Sequence, residues 1–196
     1  MGALYCALVH HPVRDRSGAT VTTAVTSVDV HDIARSARTF GLRGYYVVTP
    51  IQAQHETVRR ILEHWSTGAG GRRVPDRREA LALCEVVNSV EEAVARVQAQ
   101  AGARPRLVAT AARSFAEPAR RLRTFAEEAA LLRTESAPTL LLLGTGHGLA
   151  DAVLDAADAL LEPIAGADEY NHLSVRAAAA IMLDRLLGER RDIGAG

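Results

Sequence analysis

The chain has 196 residues, of which 48% are hydrophobic and 23% are charged, so it is long enough for one domain with a sizeable core. Its 23 basic residues balance 23 acidic ones, which excludes a polycation that binds nucleic acid through overall charge. Every one of those basic residues is arginine, and the absence of lysine excludes lysine Schiff-base chemistry and a P-loop.

The two cysteines, Cys6 and Cys84, are far apart, and the sequence has no CxxC pattern and no Cys/His cluster with zinc spacing. We therefore expect buried thiols in a reducing compartment and no metal site. No signal peptide is visible, and no apolar stretch reaches the roughly 18 residues that span a bilayer. These features predict a cytoplasmic protein with no membrane partner.

Strands and helices alternate along the first half of the chain. The pattern predicts a buried strand at 4–9, a loop at 10–22 and a helix from an Asp29 N-cap through about Phe40, closed by Gly41. It then predicts a strand at 44–49, an amphipathic helix at 54–65, a mobile glycine-rich loop at 66–76, a strand at 83–87 and a helix at 90–100 that Ser89 and Glu92 cap.

The second half continues the alternation. We expect a strand at 106–110, a helical segment at 117–132, continuous or broken in its middle, a strand at 139–143, a short strand at 159–161 and a final helix at 174–187 that ends at Gly188. Such alternation predicts an α/β fold with a mostly parallel sheet flanked by helices on both faces, in a single domain over 1–196.

A glycine-rich turn, Gly144-Thr145-Gly146-His147-Gly148, directly follows the apolar run at 139–143. Glycine lets the backbone approach a ligand closely, so one interpretation is a Rossmann NAD site in which Glu162 holds the ribose. Leu149 stands where that fingerprint needs glycine, however, and only one strand and one long helix remain after the turn. A tight turn without a ligand is a further alternative.

Four stretches, taken in order, resemble the SPOUT superfamily of RNA methyltransferases. DVHDIARSARTFGL at 29–42 is similar to the first family motif, with Arg35 at the place of its arginine. LLLLGTGHGL at 140–149 and LLEPI at 160–164 resemble the two strand-loop units around S-adenosylmethionine (SAM), and YNHLSVRAAAAIMLDRL at 170–186 resembles the closing loop and last helix. The resemblance covers most of the chain and implies a C-terminal deep trefoil knot over about 139–188.

The resemblance also implies an activity and a site. It implies a SAM-dependent methyltransferase acting on tRNA or rRNA, at a ribose 2′-oxygen or a base nitrogen, and working as a homodimer. It implies catalytic roles for Arg35, His172 and Ser174, although Arg35 could instead pair with Asp32, and Ser174 could serve only as a helix N-cap. The residues implied for the cofactor are Thr110, Leu143, Gly144, Thr145, Gly146, Gly148, Leu161, Pro163, Ile164, Leu173, Val175 and Ala178.

Departures from the family pattern leave a second hypothesis open. Asp29 and His31 stand where the first motif has Asn and Gly, and His147 stands where many members carry an acidic residue. A catalytically silent protein that binds SAM or RNA without turnover is therefore the alternative.

Local groups of arginine are the candidates for RNA phosphate contacts, which give salt-sensitive affinity without base specificity. One group flanks the glycine-rich loop and a second lies near position 120; solvated protein surface is the alternative for both. The two groups are Arg72, Arg73, Arg77 and Arg78, and Arg113, Arg120, Arg121 and Arg123. His10 and His11, after the first strand, are candidates for substrate contact, with simple solvent exposure as the alternative.

Overall fold

The structure, a computed structural model, describes residues 2–112, 121–168 and 171–188. Within these ranges, strands and helices alternate along the chain. The strands are β1 (Leu4–Val9), β2 (Val13–Arg14), β3 (Thr20–Val21), β4 (Gly44–Val48), β5 (Cys84–Val87), β6 (Arg106–Ala109), β7 (Leu122–Arg123), β8 (Thr139–Gly144) and β9 (Ala159–Leu161). The helices are α1 (Ser27–Thr39), α2 (Gln52–Ser66), α3 (Ala69–Arg73), α4 (Pro75–Leu81), α5 (Val90–Ala101), α6 (Phe125–Thr134), α7 (Asp151–Ala156) and α8 (Val175–Leu187).

Seven of these strands form one sheet in the order β5–β4–β1–β8–β6–β9–β7, and each neighbouring pair is parallel. The central strand β1 sets Tyr5 opposite Gly44 of β4 on one side and Leu140 of β8 on the other. The α/β fold with a mostly parallel sheet is confirmed. Because the strands are parallel, their carboxyl ends share one edge, where ligands usually bind.

The sheet buries both of its faces, which is why its central strands are continuous apolar runs. Along β1, Cys6 and Leu8 face the side covered by α1, α2, α4, α6 and α8, whereas Tyr5 and Ala7 face the side covered by α5 and α7. Cys6 and Cys84 are buried as expected, and burial raises the pKa of both thiols. None of the described helices is both long and apolar enough to cross a membrane.

Three sequence-based assignments of secondary structure were wrong. The predicted loop at 10–22 contains an antiparallel hairpin, β2 with β3, and the predicted mobile loop at 66–76 contains α3 and the start of α4. The helix predicted at 117–132 begins only at Phe125, because Leu122 and Arg123 pair with β9 as an edge strand; residues 117–120 lie outside the described ranges. Two-residue strands carry too little pattern to be detected in a sequence.

Two predicted helix caps also differ in detail. The N-cap of α1 is Thr26, whose hydroxyl accepts from the Asp29 backbone N–H at 3.3 Å, so Asp29 lies in the first turn of the helix. Ser89 caps α5 as predicted, but the Glu92 carboxylate accepts from the backbone N–H of Asn88, one residue before the cap. α5 therefore starts where the sequence indicates, whereas the N-cap of α1 lies at Thr26 and not at the predicted Asp29.

Candidate functional site

Three neighbouring strands, β8, β6 and β9, end side by side at the carboxyl edge of the sheet. The loops that follow them, 144–150, 110–112 and 162–168, contain most of the residues implied for the cofactor. The closing segment 171–174 reaches the same edge, because the Asn171 side chain donates to the Ala112 carbonyl oxygen at 2.8 Å. The fold thus brings the loop at 110–112 together with three segments between residues 144 and 174.

The glycine-rich loop after β8 packs against the β2–β3 hairpin. Arg14 in β2 donates its backbone N–H to the Gly148 oxygen at 2.9 Å, and its own oxygen accepts from the His147 N–H at 3.0 Å. A Cβ at Gly144 would lie 2.6 Å from the Leu149 nitrogen, so the turn closes tightly on itself there. Part of the glycine requirement therefore comes from the turn and the hairpin, irrespective of any ligand.

Two features of these loops fit a bound cofactor. Gly148 has φ +99°, and a Cβ there would meet no atom within 4 Å, so open space lies beside its backbone. Ile164 is buried, and its backbone N–H has no hydrogen-bond partner among the described residues. Open space beside backbone and an unpaired donor suit a ligand whose adenine edge takes backbone hydrogen bonds.

The apolar residues implied for the pocket walls differ in exposure. Leu143, Leu161 and Ile164 are buried in the core under α8, whereas Leu173 is 46% exposed. Val175 and Ala178 are partly buried against that core, and Pro163 is half-buried. The Thr110 hydroxyl is buried and donates to the Leu142 oxygen at 2.9 Å. Their contact with the cofactor stays a prediction.

An open groove of about 430 Å³ runs between α1 and α8 and contains two of the three predicted catalytic residues, Arg35 and Ser174. The third, His172, is exposed in the closing segment and is not among the residues that line the groove. The remaining lining residues are Asp32, Ser36, Thr39, Phe40, Arg176, Ala177 and Ala180.

Arg35 is exposed, and its guanidinium forms no hydrogen bond or ion pair with any residue in the described part of the chain. The alternative pairing with Asp32 is wrong, because the Asp32 carboxylate faces Arg176 of α8 at 3.6 Å. Ser174 is the N-cap of α8 and accepts from the Ala177 N–H at 3.3 Å, which leaves its O–H free to donate. Arg35 is thus positioned to bind an anionic group in the groove.

The sequence interpretation missed Arg176. Its Nη1 donates to Asp29 Oδ1 at 3.0 Å, and Asp29 also accepts from the Thr26 hydroxyl at 2.6 Å. This pairing joins helices whose residues are 147 positions apart, and nothing in the local spacing of either residue points to it. Asp29, which stands where the family motif has Asn, therefore has a structural partner in this chain.

His10 is buried at the end of β1, so the solvent-exposed alternative is wrong for it. Its Nδ1 lies 2.9 Å from the Thr23 hydroxyl, which in turn lies 2.5 Å from the Thr145 hydroxyl in the glycine-rich loop. Burial lowers the pKa of His10 from 6.5 to about 4, with the Asp29 charge opposing the shift. A neutral histidine thus helps to join the hairpin to the glycine-rich loop.

Of the second predicted arginine group, the structure describes Arg121, which is bonded within the protein, and Arg123, which is exposed. Arg121 donates to the Asp155 and Ala157 carbonyl oxygens at 2.7 and 2.9 Å and so completes the end of α7. Arg113 and Arg120 lie outside the described residues, and Arg123 belongs to the edge strand β7.

The structure does not provide the ribose contact and the pyrophosphate contact that the Rossmann interpretation needs. Glu162 accepts from the Phe125 backbone N–H at 2.7 Å and so holds the start of α6, which occupies the carboxylate that would bind a ribose. The helix after the glycine-rich loop has six residues and begins with Asp151, whose charge disfavours a pyrophosphate there. No group of three His, Cys, Asp or Glu side chains in the described ranges could hold a metal ion.

Comparison with known proteins decides the family. A family described as SAM-dependent RNA methyltransferases matches residues 3–188. The chain belongs to this family. The family assignment agrees with the SPOUT resemblance and with SAM as the cofactor, and it removes the NAD-binding alternative.

Two curated relatives of this chain differ in length. A tRNA (guanine-N(1)-)-methyltransferase of Oleidesulfovibrio alaskensis is 46% identical over 190 residues, which is 95% of this chain but 42% of the relative. An uncharacterized protein of Aquifex aeolicus is 36% identical over 96% of this chain and 90% of its own length. The chain thus spans less than half of the longer relative and nearly all of the shorter one.

A solved structure shares the fold of this chain. The SpoU methyltransferase AviRb from Streptomyces viridochromogenes is 20% identical, with a TM-score of 0.57 over 94% of this chain and 58% of that one. At this identity the likeness concerns the fold alone.

Proposed function

We propose that the chain transfers the methyl group of SAM to a nucleotide of tRNA in the groove between α1 and α8. The observation that carries the proposal is that Arg35 and Ser174, from two motifs about 140 residues apart, line the same groove. The name of the O. alaskensis relative supports tRNA as the substrate class.

The loops after β6, β8 and β9 would hold SAM, with the Gly148 backbone and the Ile164 N–H available to it. When bound, SAM supplies a methyl group on a positively charged sulfur. Much of such a displacement is positioning, and Thr110, Leu143 and Leu161 contribute by being fixed in the sheet and its core. The residues implied for the cofactor thus either belong to these loops or support the loops from the sheet and its core.

The groove also contains the groups that the substrate side needs. The unpaired guanidinium of Arg35 can bind a phosphate of the RNA and fix the acceptor nucleotide. The acceptor must lose a proton, and Asp32 is the carboxylate among the lining residues. Ser174 can donate its O–H to the nucleotide while its oxygen continues to cap α8.

Variants of two arginines on α1 test this proposal. Arg38 lies one turn beyond Arg35, outside the groove, and its Nε donates to Glu79 at 2.9 Å. We expect Arg35→Ala to lower methyl transfer to tRNA about 100-fold or more with unchanged calorimetric SAM affinity, whereas Arg38→Ala retains wild-type transfer. Equal transfer by both variants, or no transfer by the wild type to any RNA pool, would contradict the proposal; the second result favours the silent alternative.

Nucleoside analysis of the labelled RNA identifies the acceptor atom. A 1-methylated guanosine would match the activity named for the relatives, and a 2′-O-methylated nucleoside would indicate the ribose. The two products differ in the position of the methyl group, so mass spectrometry of the digested nucleosides separates them.

We further propose that residues 1–196 form one domain with a C-terminal trefoil knot over about 139–188. Support comes from the closing segment: Asn171 contacts the loop after β6, and α8 then packs against α1, α6 and β8. The test of the knot is a crystal structure that shows whether residues 159–188 pass through the loops that precede them.

A cytoplasmic location is proposed from the tRNA substrate and is tested by cell fractionation.

We also propose a homodimer. Val28 at the start of α1 and Leu173 just before α8 are large apolar side chains that are 49% and 46% exposed, and a second copy would cover such residues. Light scattering during gel filtration gives the mass; a monomer at micromolar concentration would exclude this arrangement.

A further inference from the structure

A tryptophan cluster lies beside α1, outside the groove. The Trp65 ring of α2 meets the rings of His31 and His64 edge to face, with centroids 5.6 and 5.4 Å apart. The Arg77 guanidinium carbon lies 4.9 Å from the centroid of the same ring. These four residues, from α1, α2 and α4, are called the Trp65 cluster below.

Two glycines bring a further pair of arginines to the Trp65 cluster. A Cβ at Gly70 would lie 2.7 Å from His64 Nε2, and a Cβ at Gly71 would collide with the Trp65 carbonyl oxygen. The absence of side chains therefore lets α3 lie directly against the end of α2. Arg72 and Arg73 follow at once and are exposed beside the cluster.

The charge of this region is not neutralised locally. None of Arg72, Arg73, Arg77 and Arg78 forms an ion pair with a residue in the described ranges. Residues 52–81 contain six arginines and four acidic residues, one of which, Glu79, is paired with Arg38 of α1. Burial lowers the pKa of His31, and the Arg77 charge lowers this pKa further, whereas the Asp32 charge opposes the shift.

The Trp65 cluster is continuous with the groove. His31 and Arg35 lie one helical turn apart on α1, so a line of contacts runs from the groove at Arg35 along His31 to Trp65 and Arg77, with an arginine at each end. An anionic chain seated at Arg35 would reach Arg72 and Arg73 by passing over this line.

We propose that the Trp65 cluster, together with Arg72 and Arg73, is a binding surface for the sugar–phosphate backbone of the RNA whose target nucleotide enters the groove. This inference rests on the proposed function, because it takes RNA as the substrate. Arginine presents a planar fork that matches phosphate oxygens, and the close packing at the glycine pair brings the backbone of Arg72 and Arg73 next to the Trp65 cluster. The surface adds affinity without reading base sequence.

The test compares two double variants that remove the same charge. Arg72→Ala/Arg73→Ala changes exposed residues of the proposed surface and leaves the packed Trp65–Arg77 pair intact. The control, Arg104→Ala/Arg133→Ala, removes two exposed arginines near the amino edge of the sheet, just before β6 and at the end of α6. tRNA affinity is measured by filter binding over a range of salt concentrations, and SAM affinity by calorimetry.

We expect Arg72→Ala/Arg73→Ala to weaken tRNA binding about tenfold and to reduce the slope of log affinity against log salt by about 1 to 2, because each lost phosphate contact removes about 0.7 to 0.9. SAM affinity stays unchanged, and the control keeps the wild-type slope. Equal effects of both double variants would overturn the proposed surface. A change from dimer to monomer in Arg72→Ala/Arg73→Ala would overturn it too, by assigning the surface to a second copy.

The proposed function and the proposed surface fail in different ways. If the wild type binds neither tRNA nor rRNA even at low salt, RNA as the substrate is wrong and the surface proposal falls with it. If the wild type binds tRNA and transfers methyl groups but the two double variants behave alike, only the surface is wrong.

Discussion

Arg176 on the last helix donates a 3.0 Å hydrogen bond to the Asp29 carboxylate on the first helix, and this contact closes one side of the groove. The Asp29 side chain is only 12% exposed, whereas the Arg176 side chain is 40% exposed. The pair therefore lies between a buried ion pair and a surface pair. Its consequence is that α1, with Arg35, and α8, with Ser174, are held at a fixed separation.

A double-mutant cycle on this pair measures its contribution to stability. We expect Arg176→Gln and Asp29→Asn to show a coupling energy of about 1 kcal/mol, because one partner is nearly buried. The matched pair Arg38–Glu79 is about half exposed on both sides and should give less than about 0.5 kcal/mol. Urea unfolding of the four proteins in each cycle provides the values; equal coupling in the two cycles would contradict the argument.

A second ion pair is far more buried and should be more costly to break. The Glu128 carboxylate is 1% exposed and accepts from both terminal nitrogens of Arg106, with Nη1 at 3.2 Å from Oε2. We expect Arg106→Met to lower the free energy of unfolding by about 3 to 5 kcal/mol, since it leaves an uncompensated buried charge. The double variant Arg106→Met/Glu128→Leu should recover most of this loss.

The control for that experiment is Arg96→Met. Arg96 pairs with Glu92 at 3.2 Å and Glu85 at 3.3 Å, and its side chain is 51% exposed. Removal of this exposed pairing should cost less than about 1 kcal/mol. A loss in Arg96→Met as large as that in Arg106→Met would show that burial is not the deciding factor.

The buried His10 predicts how stability depends on pH. Because burial lowers its pKa from 6.5 to about 4, the unfolded chain binds more protons than the folded chain between these values. The contribution of His10 is therefore complete above about pH 6.5 and is lost as the pH falls towards 4, at most about 3 kcal/mol. His10→Asn should flatten this part of the stability profile, measured by urea unfolding at pH 5 and pH 7.

An exposed histidine serves as the comparison. His147, in the glycine-rich loop, is exposed, and His147→Asn should retain the wild-type dependence on pH. If both variants flatten the profile equally, burial of His10 is not its cause.

Gly148 allows a test of the cofactor loop that does not depend on RNA. Gly148 and Gly102 both have positive φ, +99° and +76°, and a Cβ at either would meet no atom within 4 Å. Alanine at each should therefore cost a similar amount of stability, about 1 kcal/mol. We expect only Gly148→Ala to weaken SAM binding in calorimetry, since Gly102 ends α5 at the opposite edge; equal SAM affinity in both variants would exclude Gly148 from the cofactor site.

Strands and helices with a long hydrophobic pattern or a clear cap could be predicted from the sequence. The apolar runs of β1 and β8 and the caps Ser89 and Ser174 lie where the sequence predicts them, because burial on both faces and N-cap chemistry are local signals. The family motifs implied roles for both Arg35 and Ser174, and both residues line one groove. Their catalytic roles stay predictions.

What the sequence did not reveal depends on distant partners. The β2–β3 hairpin is short, and its place against the glycine-rich loop arises from pairing between Arg14 and Gly148, which no local pattern encodes. The burial of His10 and the Asp29–Arg176 contact are likewise products of tertiary packing. Which loop atoms contact SAM stays a prediction, because the hydrogen bonds of a binding loop depend on the ligand as well as on the chain.

The centre of the sheet joins two segments that are far apart in the sequence. β1, which begins at Leu4, pairs along its whole length with β8, which begins at Thr139. Contacts between residues so far apart in the sequence cost a large loop-closure entropy before they stabilise the fold. Chains rich in such contacts fold slowly. During synthesis on the ribosome, the first strand must therefore wait for most of the chain to emerge before it acquires this neighbour. The groove, which also needs α8, is then among the last parts of the protein to assemble.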